Sequence, residues 1–362
     1  MRELNWDDVR AAVRGGSVYA SGGGGWVDHG LEVGRRALEL GVPKLVSIDE
    51  LDPEDMVITC SAIGAPSSTG WQMLPEDYIR SVQLLQENFE GKVVGSITPQ
   101  NGCSSSINGW IASAALGTLV VDAVGDMRAH PTGKMGSLGL AGVPGYQTVQ
   151  AAAGGNRAQG KYLEVIARGS VAATANILRT VSVESGNFIT CARHPVKASY
   201  IQKTAACGGI SQAMRVGQAM LEAESRGTEA VIEAIGITAR AEVVGRGRVL
   251  RNDYVTQGAF DLGHCLVDCG RTTLKLHTMN EWMAIDDGDK NRLSTFPDVI
   301  CVLDARSGLP CNVFQVLPDM EVVVIMVHKR NLTLTAGVLD PTVYPEVEAA
   351  LGLSIAAYAL AD

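Results

Sequence analysis

The densest group of titratable side chains outside the acidic surface stretches lies between residues 122 and 130. Asp122, Asp126, Arg128 and His130 fall within nine residues of sequence. A surface ion pair on a helix would account for Asp126 and Arg128, but His130 precedes a proline and lies off any helical face. A histidine beside a carboxylate can move protons at neutral pH. We therefore predict His130 as the main proton carrier, held by Asp126 or Asp122, with Arg128 binding the substrate.

A cysteine in the polar segment 99–106 is the second group that could do chemistry. The segment contains Gln100, Asn101 and Cys103 and leads into a predicted helix. Near the positive end of a helix dipole, the pKa of a thiol can be lowered. Cys103 is therefore the best candidate nucleophile among the cysteines, and Gln100 and Asn101 are predicted to bind the substrate. The alternative is that Cys103 is a small apolar side chain of the core.

A run of four glycines, residues 22–25, follows an apolar stretch and precedes a helical pattern. Turn geometry needs only one or two glycines, so the run indicates that another group approaches the backbone closely. Free N–H groups of Gly23, Gly24 and Gly25 would bind an anion, a carbonyl or a developing oxyanion, and Asp28 is predicted to contact the substrate beside them. A flexible loop is the alternative. The flanking residues fit neither a dinucleotide fingerprint nor a P-loop.

Four polar segments each begin directly after a predicted parallel strand: they are residues 21–29, 61–71, 99–106 and 122–134. Loops at the carboxyl ends of parallel strands share one edge of the sheet, where ligands bind. We therefore predict that the four segments surround one site and that Gly23, Thr69, Asn101 and His130 line one crevice.

The elements that must position these side chains alternate between strand and helix patterns. The predicted strands are residues 18–20, 44–48, 56–60, 92–97 and 118–122. The predicted helices are residues 6–14, which stop at Gly15 and Gly16, then 31–40, 75–89 and 105–116. A hairpin over 146–167 and a helical stretch over 198–224, broken at Gly208 and Gly209, follow.

From residue 237 the pattern changes to short β-rich runs separated by turns rich in Gly, Asp and Asn. This pattern is typical of a small antiparallel barrel or sandwich. The predicted fold class is therefore α/β: a three-layer N-terminal domain with a parallel or mixed sheet, and a C-terminal antiparallel β-barrel-like domain. The predicted boundaries are 1–236 for the first, 237–335 for the second, and 336–362 for a C-terminal segment that packs back. Asn280, Glu281 and Asp298, in β-rich sequence, are predicted to have structural or rim roles.

The composition is that of a globular protein large enough for two domains, with 362 residues, 46% hydrophobic and 19% charged. The net charge of −9 and the lack of a basic cluster argue against nucleic acid or an anionic membrane as partner. No apolar run approaches the roughly 18 residues needed to span a bilayer. A cytoplasmic protein with free thiols is the expectation, since the eight cysteines show no regular framework.

Two sets of residues raise the question of a metal. Cys265 and Cys269 are spaced C-x3-C beside a histidine, but no second ligand pair follows at zinc spacing. A mixed set of Asp28, His29, Asp122 and His130 could hold a metal that activates water, but no fixed metal-binding spacing supports this less favoured variant. No metal site is therefore assigned. No nucleotide cofactor is expected, and the need for any other cofactor stays open.

The order of several motifs resembles that of one family, the S-methyl thiohydantoin desulfurase-like family (DUF917), which is associated with hydantoinase and oxoprolinase proteins. The resemblance spans about residues 9–339 and rests on these motifs: residues 21–25, 54–58, 64–66, 121–123 with Arg128, and 296–304. It implies an α/β domain followed by a barrel-like domain, and hydrolysis of a five-membered cyclic ureide or thioureide. Typical members carry acidic residues in segment 98–101 and after the proline equivalent to Pro131, where this chain has Thr132. Val124 replaces another usual aspartate, with Asp126 nearby.

Together these patterns predict a hydrolase that breaks a C–S or C–N bond of a small nitrogen heterocycle. Cys103 or an activated water would attack, His130 would transfer protons, and the glycine amides would stabilise the oxyanion. The alternative is a non-catalytic small-molecule-binding or partner subunit of a hydantoinase or oxoprolinase type of system. A homo-oligomer is expected if the apolar segment 351–360 is exposed.

Overall fold

The computed structural model describes residues 1–361, and in this range a mixed sheet of nine strands forms the first half of the fold. Its strands are β1 (Arg2–Glu3), β2 (Lys44–Val46), β3 (Met56–Gly64), β4 (Val93–Thr98), β5 (Leu119–Val124), β6 (Thr148–Gly154), β7 (Leu163–Gly169), β8 (Phe188–Lys197) and β9 (Ala206–Cys207). The spatial order is β1-β2-β5-β4-β3-β8-β6-β7, and β9 pairs with β5. Strands β2, β5, β4 and β3 are mutually parallel, and the other pairs are antiparallel.

Helices cover both faces of this sheet. They are α1 (Trp6–Tyr19), α2 (Val27–Leu40), α3 (Pro75–Glu87), α4 (Trp110–Leu116), α5 (Val171–Glu184), α6 (Ala198–Thr204), α7 (Gly209–Ala223), α8 (Thr228–Ala239), α9 (Tyr344–Leu351) and α10 (Ala356–Ala359), of which the last two follow the second sheet. On β5, Val120 and Val124 face a cluster that contains residues of α1 and α7, whereas Val121 and Ala123 face one that contains Ile201 of α6. A parallel strand buried on both faces in this way is typical of α/β folds, and the predicted fold class is confirmed.

The second sheet is antiparallel throughout and curls into a half-barrel. Its strands are β10 (Glu242–Gln257), β11 (Phe260–Asp268), β12 (Thr273–Met279), β13 (Glu281–Asp286), β14 (Arg292–Thr295), β15 (Val299–Asp304) and β16 (Glu321–Val327). Two register shifts in β10, between Val243 and Gly245 and between Val249 and Arg251, allow this long strand to bend. The strands β13 and β14 were not predicted individually.

The first helix corrects two sequence predictions. Residues 18–20 are not a strand, and the helix does not stop at Gly15 and Gly16, because α1 continues to Tyr19. A Cβ atom at Gly15 would lie 1.7 Å from the carbonyl oxygen of Ala213 in α7. A glycine costs about 1 kcal/mol in a helix, and close packing of two helices offsets that cost. The glycine run therefore follows a helix and not a strand.

Helix α1 also joins the two halves of the molecule. Its apolar residues share one buried cluster with the second sheet, including Val9 and Val18 from the helix and Val299, Cys301 and Leu303 from β15. The fold thus brings the loop after α1 against the second sheet.

The C-terminal segment packs on the second sheet. Ile355 and Ala359 are buried in one cluster with residues of β12 and β13. Asp298 accepts hydrogen bonds from the Tyr358 hydroxyl at 2.8 Å and the Lys329 backbone N–H at 2.7 Å, as a structural carboxylate would. The apolar face of segment 351–360 is therefore covered in part by its own chain, and the homo-oligomer stays a prediction.

Candidate functional site

A narrow pocket opens where the carboxyl ends of the parallel strands meet the second sheet. Its empty volume is about 690 Å³, counting the mouth that is open to solvent. The lining residues are Gly24, Gly25, Ala62, Ile63, Gly64, Pro66, Pro99, Gln100, Ser104, Ser105, His130, Pro131, Thr132, Gly133, Ala175, Arg179, Phe188, Arg193, Asn280 and Glu281. A concave site with converging polar groups is the usual form of a small-molecule site.

All four polar segments singled out in the sequence contribute to this pocket. The segments after β3, β4 and β5 reach it because these strands are parallel neighbours, and the glycine run reaches it from the end of α1. Of the residues predicted to line one crevice, His130 does so, whereas Gly23, Thr69 and Asn101 do not.

His130 lines the pocket and is held by two partners. Its Nδ1 lies 3.3 Å from Oδ2 of Asp126, and its backbone N–H donates to Oε1 of Gln100 at 3.0 Å. Both members of the His130–Asp126 pair are almost completely buried. With Nδ1 placed to donate to the carboxylate, Nε2 is the ring nitrogen left for a molecule in the pocket. Because no described residue hydrogen bonds Nε2, this nitrogen can accept a proton from a molecule in the pocket.

Glu281 also lines the pocket. The residue is 3% exposed, and burial raises the pKa of its carboxyl to about 8, although the charges of Arg128 and Arg179 lower it. Its Oε2 is buried without a hydrogen-bond partner among residues 1–361. Glu281 is therefore largely protonated at neutral pH and can donate a proton. The structural or rim role predicted for Glu281 stays a prediction.

The glycine run makes room for this carboxyl. A Cβ atom on Gly23 would lie 2.2 Å from Oε1 of Glu281, and one on Gly25 would lie 1.9 Å from Oγ of Ser104. The group that approaches the run closely is thus a side chain of the same protein, while Gly24 and Gly25 also border the pocket.

Cys103 lies outside the pocket wall. The residue is 1% exposed, burial raises the pKa of its thiol to about 12, and Sγ lies 3.7 Å from Oδ1 of Asn312. The helix dipole alone would lower the pKa of this thiol, but burial dominates in the fold. A thiol in this state is not a thiolate at neutral pH.

Three other predicted site residues serve the fold. The Asp122 carboxylate accepts hydrogen bonds from the backbone N–H (3.0 Å) and hydroxyl (2.5 Å) of Ser211 at the start of α7. The Asn101 amide donates to the carbonyl of Gly209 at 3.1 Å. Arg128 is fully buried and donates to the carbonyls of Ala129, Trp282 and Asp298, so its guanidinium joins the two sheets.

The last two predicted contacts lie at the surface. Asp28 is exposed in the first turn of α2, and Thr69 is exposed in the loop after β3. Next to Asp28, the ring of His29 hydrogen bonds the Tyr78 hydroxyl at 3.0 Å, and burial lowers its pKa to about 4. His29 is therefore a neutral packing residue at pH 7, outside the pocket.

Two arginines in the pocket were not predicted from the sequence. Arg179 lies on α5 and Arg193 on β8, and neither element was predicted. No carboxylate lies within salt-bridge distance of either guanidinium in the part of the chain that the structure describes. A signal was available for Arg193, because a charged residue within a buried apolar strand is rare unless it has a special role.

Comparison with known proteins agrees with the motif order. The N-terminal domain of the S-Me-THD-like family matches residues 7–160, and the C-terminal domain of that family matches residues 170–340. The chain belongs to the S-methyl thiohydantoin desulfurase-like family.

A crystal structure of a protein from Chromobacterium violaceum is similar to this member of the family over 97% of both chains. The sequence identity is 18% and the TM-score is 0.73, so the likeness shows a shared fold. No curated protein matches the chain.

The two S-Me-THD-like domains both contribute to the pocket. The N-terminal one supplies the glycines, Gln100 and His130, and the C-terminal one supplies Arg179 and Glu281. The pocket therefore requires the two to be docked.

Residues 1–361 contain neither a cluster of metal ligands nor a membrane-spanning helix. Within residues 1–361, no group of three or more His, Cys, Asp or Glu side chains is placed to hold a metal ion. None of the helices in the same range combines the length and the apolar character that crossing a bilayer requires.

Proposed function

We propose that this protein is a hydrolase that breaks a C–S or C–N bond at an amide- or imidate-like carbon of a small cyclic ureide or thioureide. The observation that carries the proposal is the pairing of a base and an acid in one narrow pocket. Nε2 of His130 is free to accept a proton, and the carboxyl of Glu281, with its pKa of about 8, still carries one at pH 7. Membership of the S-methyl thiohydantoin desulfurase-like family supports this substrate class.

Water is the proposed nucleophile because the thiol of Cys103 is walled off from the pocket. His130 takes a proton from the water as its oxygen adds to the ring carbon, and Asp126 stabilises the imidazolium that forms. The tetrahedral intermediate then loses its leaving group, which takes a proton from Glu281.

The two bonds give different products. Cleavage of an exocyclic C–S bond consumes one water and releases a thiol. The proton left on the added oxygen moves to the ring nitrogen as the ring carbonyl forms. Cleavage of a ring C–N bond consumes one water and opens the ring to an amine or ureide nitrogen and a carboxylic acid. In both reactions the proton given by Glu281 is returned through His130, so the enzyme is restored.

The test is turnover by the purified protein of S-methyl thiohydantoins, hydantoins and lactams. A thiol reagent detects C–S cleavage, and NMR detects ring opening. His130→Gln is expected to lower kcat by about 10²-fold or more, the usual scale for losing general acid–base catalysis. His264→Gln is the matched control, since His264 lies on β11 outside the pocket.

Two results would contradict the proposal. Full activity of His130→Gln would remove this histidine from the mechanism. Ligand-induced thermal stabilisation by these rings, with no product from any of them, would instead favour a non-catalytic binding subunit.

A further inference from the structure

The pocket contains two arginine side chains whose charges are not neutralised by carboxylates. Arg193 is buried and Arg179 is half-buried, and a charge held away from water without a partner is costly to the folded state. Such a cost is expected where the charge serves a ligand.

Arg193 offers the clearer observation. The residue is 5% exposed, and its Nε donates to the hydroxyl of Ser61 at 2.9 Å. Its two Nη atoms have no hydrogen-bond partner among the described residues, yet they are not among the atoms sealed from solvent. They therefore border the open pocket. A Cβ atom at Gly133 would lie 2.7 Å from Nη1, so the glycine leaves this end of the guanidinium accessible.

Arg179 is positioned beside it by backbone groups. Its guanidinium donates to the carbonyls of Pro131 at 2.8 Å and Ala259 at 3.2 Å, and it lies over the ring of Phe260. Burial and the charge of Arg193 lower its pKa to about 10, so Arg179 stays charged at pH 7. Both guanidinium groups line the same pocket.

The nearby carboxyls form no salt bridge with either arginine, and Glu346, whose charge acts on Arg179, pairs with Lys134. Asp126 is engaged by His130 and by the backbone N–H of Arg128. Asp261 accepts hydrogen bonds from the hydroxyls of Ser67 and Thr256. Since Glu281 is largely protonated at pH 7, the pocket wall carries excess positive charge in a protein of net charge −9.

We propose that the pocket recognises a ring whose substituent bears a carboxylate, which the guanidinium groups of Arg193 and Arg179 bind. This inference rests on the proposed function, because it names the substrate class of the same site. The fork of Arg193 Nη atoms suits the two oxygens of a carboxylate, and such charge-assisted pairs are strong when buried. The carboxylate at this end directs the ring toward His130 and Glu281.

The experiment compares two ligands of nearly the same shape by isothermal titration calorimetry: hydantoin-5-acetic acid and its uncharged primary amide. The wild-type protein is expected to bind the acid at least about 10-fold more tightly than the amide. Arg193→Gln is expected to remove that preference, and Arg193→Lys, which keeps the charge without the fork, to retain part of it. Arg271→Gln, on an exposed turn, is the control and should leave the preference unchanged.

The outcomes separate this inference from the proposed function. Equal affinity for acid and amide, failure of both to bind at millimolar concentration, or an unchanged preference in Arg193→Gln would overturn the carboxylate proposal. The comparison of ligands on the wild type does not depend on the variants folding. Tight binding of the acid without turnover would contradict the hydrolase and support carboxylate recognition. Turnover of neutral rings with no preference for the acid would support the hydrolase and contradict carboxylate recognition.

Discussion

Replacing Glu281 with glutamine should make the protein more stable at high pH than the wild type. Burial raises the pKa of this carboxyl from its ordinary 4.5 to about 8 in the folded protein. A group whose folded-state pKa is raised contributes stability that is complete below the ordinary pKa and is lost as the pH rises through the folded pKa. Glu281→Gln removes the ionisation, so it removes this loss.

The size of the effect follows from the shift. A change from 4.5 to about 8 is 3.5 pKa units, and each unit corresponds to about 1.4 kcal/mol, for a total of about 5 kcal/mol. About 4 kcal/mol of this stability is lost between about pH 5 and about pH 9. The remainder is lost mostly below about pH 5, where the carboxyl of the unfolded chain begins to ionise.

The assay is urea unfolding of both proteins at these two pH values. The free energy of unfolding of Glu281→Gln minus that of the wild type should grow by about 4 kcal/mol from the lower pH to the higher. Glu90→Gln, at an exposed position, provides the control for generic effects of charge removal. A difference that stays constant with pH would show that Glu281 ionises normally, and the assignment of Glu281 as a proton donor at pH 7 would then fail.

Three further predictions follow from the packing. Gly217→Ala should destabilise the protein by about 1–3 kcal/mol, because the added Cβ would lie 1.9 Å from the carbonyl oxygen of Ala11. The measurement is Tm. The control is Gly236→Ala in α8, which should cost no stability because the nearest atom would be 3.5 Å away. Cys103→Ala should keep kcat within a few-fold, since the thiol does not line the pocket; loss of turnover in a folded variant would restore it as nucleophile. Arg128→Met should lower the free energy of unfolding by on the order of 3 kcal/mol or more, measured in urea, because buried carbonyls lose their donor; an unchanged value would contradict its role between the sheets.

Much of the fold follows from local patterns in the sequence. The alternation of strands and helices predicts the mixed sheet, and short β runs with polar turns predict the second, antiparallel one. Because loops after neighbouring parallel strands lie at one sheet edge, the segments that contain Gln100 and His130 could be placed together without a structure. The same local reasoning failed at Gly15, where a glycine typical of a helix end instead contacts another helix.

Which side chains form the pocket was decided by tertiary structure. Cys103 and Glu281 show why: a helix dipole is a local property, but burial depends on what packs around a group. The carboxyl of Glu281 is brought against Gly23, more than 250 residues earlier in the chain, by docking of the second sheet on α1. Arg193 reaches the pocket because β8 pairs with β3 in antiparallel register. Desolvation by such distant segments sets the protonation states of Cys103 and Glu281. The residues next to them along the chain do not predict this desolvation.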